Sequence, residues 1–387
     1  MAEEKKKKPY LYEVDFLRII FISGVLLNHV TSMMGGYIVN ESWEQEFLDM
    51  THLSLHFTRM GFMFITGLVL FLQHYNKDMH IWSFWKKRYL GVLIPFVSWT
   101  FIILMLDMLI HSRFSWGTFW PRFGYLVTHG TDYYMYYIMV TLQLYLVFPL
   151  LVWLFKRFNK HHWHILFISF LVQILLLVFL KYGMPHLHTS DWPFLLKNYG
   201  FNLLVYQFYF VLGGFASIHY AEFVDFIKRN HGFIGWMTII LAIGTVGEFW
   251  YNQTVLGLTL KKTLEIHQPY IFVYDLFIIG FIIWLGQQYV TYRENGLPKW
   301  FVAFVSTGAK ISFGIYLSQT VALWIVEAGV SVLNLPTWGN FLMIPLVFAL
   351  TVAVGYGISY VAFKLPPFGF LVGRPQWHLS DLWRKQN

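Results

Sequence analysis

Arg18 and His29 stand eleven residues apart in the first long apolar stretch of the chain. That spacing is close to three helical turns, so the two share a face and lie about 16 Å apart along the helix axis. Asp15, three residues before Arg18, lies on the same face and can pair with it. Ionisable groups inside apolar spans are expensive, and by default they mark bundle interiors and sites. A neutral His29 near mid-membrane can take a proton from a sugar or lipid hydroxyl and return it later, the work of a general base. A plainer reading stands beside this one: Asp15 and Arg18 as an interfacial ion pair that anchors the helix, and His29 as a packed residue bonded to a neighbouring helix.

Other polar groups in apolar stretches can converge on His29 from other helices: Asp107, Gln143, Gln207, Glu248, Asp275 and Gln319. Asp107, Glu248 and Asp275 fall toward the outer half, where an extracytoplasmic acceptor would enter, although each taken singly reads as structural. His52 and His56 have the i, i+4 spacing of helical metal ligands with Asp49 one turn earlier, but a third firm ligand is missing and no metal is expected. His161, His162 and His164 fall in a basic loop and read as a solvated turn. Trp82, Trp85, Trp116 and Trp120 sit at the ends of apolar blocks as an interfacial belt. The chain contains no cysteine, which excludes disulfides, a Cys-ligated metal and a thioester-forming cysteine. Covalent chemistry here needs a different nucleophile.

The elements that must position these residues are membrane helices. Of 387 residues, 57% are hydrophobic and only 12% charged, about half the charge of a soluble domain. Blocks of about 20 apolar residues, enough to cross about 30 Å of hydrocarbon, lie near 15–35, 55–74, 90–110, 133–155, 163–181, 201–219, 233–251, 269–289, 306–328 and 340–363. This predicts an all-α polytopic membrane protein of about ten transmembrane helices, with both termini on one side. The organisation expected is a basic N-terminus over 1–12, one transmembrane domain over 13–364 and a tail over 365–387. The first block is too long for a signal peptide's apolar core and is expected to stay as the first span.

Of the 28 Lys and Arg, nineteen fall on the side of the termini and seven opposite, with Arg18 and Lys310 inside spans. The positive-inside rule therefore puts both termini in the cytoplasm. The net charge of +8 sits in short loops, so it reports topology rather than a nucleic-acid-binding face. The run Lys5–Lys8 reads as an orientation signal, with contact to anionic membrane lipid as the weaker alternative.

These residues and their order resemble the acyltransferase-3 family of membrane acyltransferases. Glu13-Val14-Asp15-Phe16-Leu17-Arg18 followed by His29 resembles that family's first-helix pattern. Phe62-Met63-Phe64-Ile65-Thr66-Gly67 resembles its Phe-Phe-x-x-Ser-Gly segment. Lys86-Lys87-Arg88 running to Ile94-Pro95-Phe96 resembles its basic turn before the third helix, and Lys310 to Leu317 resembles a segment that usually ends in Tyr-Leu-x-His. Within the family, the likeness is greatest to the membrane protein of poly-N-acetylglucosamine (intercellular adhesion) biofilm operons, which is described as an exporter or an O-acyltransferase. It rests on Tyr137 to Gln143, Phe210 to Phe215 and Val372-Gly373-Arg374-Pro375-Gln376.

The resemblance implies acyl transfer from cytoplasmic acyl-CoA, as co-substrate, to a carbohydrate hydroxyl at a bacterial plasma membrane, in association with glycan-synthesis machinery. His29 would be the general base, with Asp15 and Arg18 shaping the first helix or the donor channel. Arg88, with Lys87 and Lys86, would meet the phosphates of coenzyme A. Arg59, Glu248 and Asp275 are the expected substrate-side groups. Two positions depart from the pattern: Gly91 replaces the second arginine of Arg-x-x-Arg, and Gln319 stands where Tyr-Leu-x-His would place a histidine. The runner-up reading is a polysaccharide exporter without the chemistry. A proton-coupled transporter using His29, Glu248 and Asp275 as a relay ranks last.

Overall fold

The computed structural model describes residues 10–374. The Lys5–Lys8 run, Pro375, Gln376 and most of the expected tail lie outside the described residues. The helices are α1 (Tyr12–Gly35), α2 (Trp43–His52), α3 (Phe57–His74), α4 (Ile81–Ile110), α5 (Trp116–His129), α6 (Tyr136–Arg157) and α7 (His162–Val178). They continue through the single turn α8 (Phe194–Lys197), α9 (Gln207–Ile218), α10 (Tyr220–Trp250), the single turn α11 (Leu260–Thr263), α12 (Pro269–Glu294), α13 (Lys299–Ser331) and α14 (Thr337–Lys364).

The chain is an all-α polytopic membrane protein, and nine helical segments among the described residues are long and apolar enough to cross a membrane. The tenth expected block, 201–219, forms a shorter apolar helix, because its first residues are spent in tight turns at Tyr199–Phe201 and Leu203–Val205 before α9 begins. The outward faces are apolar, as in Leu146, Leu150 and Trp153 of α6, Leu171 and Leu175 of α7, and Leu342 and Leu346 of α14. With no water in the bilayer core, helices keep every backbone bond internal and turn such side chains to lipid.

Contacts across the bundle sort the loops into two ends. The Lys156 ammonium donates to the Lys77 carbonyl (3.1 Å), and the Tyr75 hydroxyl meets His162 (3.5 Å), so the α3–α4 and α6–α7 loops share one end. At the other end, His129 packs edge-on against Phe194 (5.2 Å between rings) and the Gln143 amide donates to the Phe201 carbonyl (2.7 Å).

Helix α1 runs through the middle of the bundle, buried along Val14, Leu17, Phe21, Ile22, Val25, Leu26 and Val30 against α3, α12, α13 and α14. Helix α3 packs on α9 at backbone distance. A Cβ on Gly67 would fall 2.1 Å from the Phe210 carbonyl oxygen, and one on Gly213 2.0 Å from that of Phe64. Hydrophobic driving force is weak between helices in lipid, so small residues that let backbones close up are what holds such a pair. The two glycines therefore carry packing, and they fix where the polar face of α3 points.

Beyond α14 the chain folds back. A turn at Phe368–Val372 packs against α4, α13 and α14, and Trp99 of α4 donates its indole N–H to the Leu371 carbonyl (2.9 Å).

Candidate functional site

A cavity of about 470 Å³ runs between α1, α3, α4, α6 and α13. Its mouth, at the end of the α3–α4 loop, is lined by Arg18, Gln73, Lys87, Arg88, Lys310 and Arg374, and its inner end by His29, Arg59, Tyr134, Tyr136 and Tyr316. The eleven residues from Arg18 to His29 on α1 make this an inner reach of about 16 Å. Among the described residues the lining includes six Arg or Lys and no Asp or Glu.

At the mouth, Asp15 sits beside Arg18 (3.9 Å) and accepts a hydrogen bond from the Tyr10 hydroxyl (2.7 Å). Asp15 therefore positions Arg18 without itself lining the cavity. The Arg88 guanidinium donates to the Gln73 amide oxygen on α3 (2.6 Å) and lies over the Phe84 ring. Lys87 and Arg88 come from the first turns of α4, which starts after His80; the His80 ring accepts the Ser83 backbone N–H as an N-cap. Lys86, next in sequence, faces away from the cavity and is exposed.

At the inner end, the half-buried His29 ring stacks on Tyr134 at 3.7 Å between centroids. No group among the described residues hydrogen-bonds its ring nitrogens, which leaves them to a ligand in the cavity. Tyr134 is held from behind. Its carbonyl accepts the Tyr316 hydroxyl from α13, and its backbone, with that of Tyr133, adopts left-handed φ (63° and 56°). Consecutive non-glycine residues in that region are strained and persist only where the surroundings over-determine them. Here Asp107 supplies part of that restraint, accepting from the Tyr133 hydroxyl (3.1 Å) and pairing with Arg113 (2.8 Å). Burial, and then Asp107, push the Tyr133 hydroxyl pKa up.

Arg59 lies over the Tyr136 ring (5.3 Å) and donates to His56 Nδ1 (2.8 Å); His56 Nε2 in turn meets His52 Nε2 (2.7 Å). The His52–His56 pair is thus a relay of hydrogen bonds ending on a guanidinium. Asp49, the residue weighed with it, accepts instead from Gln45 (3.0 Å). No group of three or more metal-ligating side chains occurs among the described residues. Among those residues no carboxylate lies within ion-pair range of Arg59.

The structure brings His29, Arg18, Arg59, Lys87 and Arg88 to one cavity and leaves other candidates elsewhere. Glu248 pairs with Lys181, which lines a second cavity of about 370 Å³ at the opposite end of the bundle with Lys197, Lys262, Tyr199, Glu265 and His267. Asp275 is buried and accepts from the Tyr209 hydroxyl (2.8 Å). Neither lines the cavity that holds His29, so the three do not form a continuous relay there. Gln143 and Gln207 are used in helix-to-loop and helix-to-helix bonds. Gln319 is fully buried with both amide atoms unpaired among the described residues, off the cavity lining.

Tyr134, Tyr136, Tyr316, Lys310 and Arg374 are lining residues that the sequence reading did not select. Tyr316, Lys310 and Arg374 lie within motifs quoted for the resemblance, but with no role assigned to them.

Comparison with protein families matches residues 11–360 to the acyltransferase domain of the acyltransferase-3 family. Comparison with curated proteins and with solved structures gives no match. The matched span takes in eight of the nine membrane-length segments whole, most of the ninth, and nearly all of a cavity with a basic mouth and a histidine at its inner end, and the chain belongs to the acyltransferase-3 family of membrane acyltransferases.

Proposed function

We propose that this acyltransferase moves an acetyl or succinyl group from cytoplasmic acyl-CoA to a hydroxyl of a cell-surface polysaccharide or its lipid-linked precursor, in a bacterial plasma membrane. The observation that carries the reading is that one cavity is lined by Arg88 and Lys87 at one end and by His29 at the other. A phosphate-bearing donor held at the mouth can extend its pantetheine arm inward and present the thioester carbonyl near the imidazole.

The neutral His29 ring accepts the proton of the acceptor hydroxyl as its oxygen attacks the thioester carbonyl. The C–O bond forms, the C–S bond breaks, and the departing thiolate takes the proton back from the imidazolium. Arg59, with no carboxylate partner, is the cation available to the oxyanion of the tetrahedral intermediate. The likeness to the poly-N-acetylglucosamine membrane protein favours a polysaccharide acceptor, with the glycan-synthesis machinery as partner.

The test is transfer of label from radiolabelled acetyl-CoA or succinyl-CoA to surface glycan in membranes containing the protein. Labelled glycan is the expected result. No transfer from either donor, with polysaccharide export intact, would replace this reading with that of an exporter.

A further inference from the structure

The cavity mouth holds more positive charge than the donor residues named so far. Lys310 and Arg374 join Arg18, Lys87 and Arg88 there, and no carboxylate is present in the lining. Asp15, beside Arg18 and just outside the lining, offsets part of this charge; the remaining like charges repel one another at a partly buried site, and an anion there would relieve that repulsion. Arg88 and Gly91 are three residues apart, on one face of α4, and α4 offers a guanidinium at the first position and nothing at the second. A side chain at 91 would meet open space, with no atom within 4 Å of its Cβ.

The returning tail passes beside that position, against the backbone of α4. Gly373 adopts left-handed φ (65°) and sits so close to α4 that a Cβ on it would lie 3.2 Å from the Gly91 carbonyl oxygen. The next residue is Arg374. Its position is fixed by a backbone bond from its N–H to the Gly369 carbonyl (2.9 Å), by the bond from Trp99 to Leu371, and by Val372, buried against Gly314 of α13. Among the described residues the Lys310, Lys87 and Arg374 side chains make no hydrogen bond or ion pair. Arg374 also lies beyond the segment matched to the family.

We propose that Arg374, carried on the tail turn beside Gly91 and lining the same cavity as Arg88, supplies the second guanidinium of a phosphate clamp with Arg88, and that Lys310 and Lys87 complete it for the phosphorylated end of a nucleotide-linked acyl donor. The inference rests on the acyl-CoA reading for the identity of its ligand. A planar guanidinium reads phosphate oxygens in pairs, and two of them from different elements hold a phosphate group in one orientation.

The experiment measures binding of coenzyme A and of 3′-dephospho-coenzyme A to the full-length protein in nanodiscs by calorimetry. It compares the native chain, Arg374→Ala, Arg374→Gln, Gly91→Arg, and the double variant Gly91→Arg with Arg374→Ala. Loss of a charge-assisted contact predicts that both single Arg374 variants weaken coenzyme A binding about 10- to 100-fold. The double variant is expected to recover most of that loss, which also shows that the tail variant still folds.

Binding within twofold of native in both Arg374 variants overturns the proposal, as does a loss that Gly91→Arg does not recover, or a native chain that binds no coenzyme A. A parallel transfer assay keeps the two readings apart. Binding that depends on Arg374 in a protein that transfers no acyl group would retire the enzymatic reading and leave the phosphate clamp standing.

Discussion

His29 is the proposed general base, and its surroundings are unlike those of a histidine retained for packing. A packed imidazole in a membrane satisfies its nitrogens on neighbouring helices, as His56 does with His52 and Arg59. His29 instead gives its ring face to Tyr134 and leaves its nitrogens to the cavity. Replacing Tyr134 by Ala is predicted to lower the turnover of acyl transfer while leaving donor binding near native, because the tyrosine stacks on the proposed base and lies at the far end of the cavity from the mouth. Tyr134→Phe keeps the stacking face and is predicted to retain most of the turnover; equal loss in both variants would argue against stacking as the cause.

A second residue-scale prediction concerns His267, immediately before α12, whose ring is buried against Tyr206 and Tyr199. Burial first, and then the positive Arg59, hold its pKa down to about 3 from an ordinary 6.5. Between those values the unfolded chain binds a proton that the folded chain refuses. The stability contributed by neutral His267 is therefore complete above about pH 6.5 and is lost as pH falls toward about 3. His267→Gln is expected to shift the acid limb of the melting-temperature profile to lower pH; an unchanged limb would assign the acid sensitivity to other groups.

At the scale of elements, the Gly67–Gly213 contact between α3 and α9 carries the most weight, since α3 brings Arg59, Thr66 and Gln73 to the cavity. The obstacles to a methyl group there are backbone atoms, which have no rotamer by which to give way. Gly67→Ala or Gly213→Ala is predicted to cost about 1–3 kcal/mol by overpacking and to reduce the yield of folded protein. Gly232→Ala on α10, where a Cβ meets nothing within 4 Å, is the matched control.

The same scale shows why some elements were legible in the sequence and others were not. Spans such as α4, α7 and α14 read directly, because a window of apolar residues long enough to cross hydrocarbon has few other uses. Helices α2 and α5 did not, being too short or too mixed in polarity to register as spans, and α5 is nevertheless what corners the chain toward Tyr133 and Tyr134. Arg18, His29 and Arg88 stood out by the cost of their setting. Tyr134 did not, because its role depends on a left-handed backbone and on a hydroxyl arriving from α13, neither of which has a local sequence signal. Glu248 carried the same signal as His29, but Lys181 meets it across the helix interface, a pairing visible only in three dimensions.

Across the whole molecule, two cavities open toward opposite ends of the bundle, the basic one beside the α3–α4 loop and the smaller one beside Lys181, Lys197 and Lys262. The charge count of the loops predicts that the basic mouth faces the cytoplasm, where acyl-CoA resides. Because the chain has no cysteine, single cysteines report orientation without background. Lys77→Cys, exposed at the end of the basic mouth, is expected to react with a membrane-impermeant maleimide only after permeabilisation. Ser190→Cys, exposed at the other end, is expected to react in intact cells. The reverse pattern would invert the topology and with it the source of the donor.

The most direct test of the account is the initial rate of acyl transfer from acyl-CoA to glycan by proteoliposomes of the native protein and of His29→Ala, at equal loading and with coenzyme A binding measured in both. A general base in the reaction predicts a fall of about 10²- to 10⁴-fold in rate with donor binding unchanged. A His29→Ala protein that binds coenzyme A and transfers at the native rate would contradict the account, and would leave the cavity a passage rather than an active site.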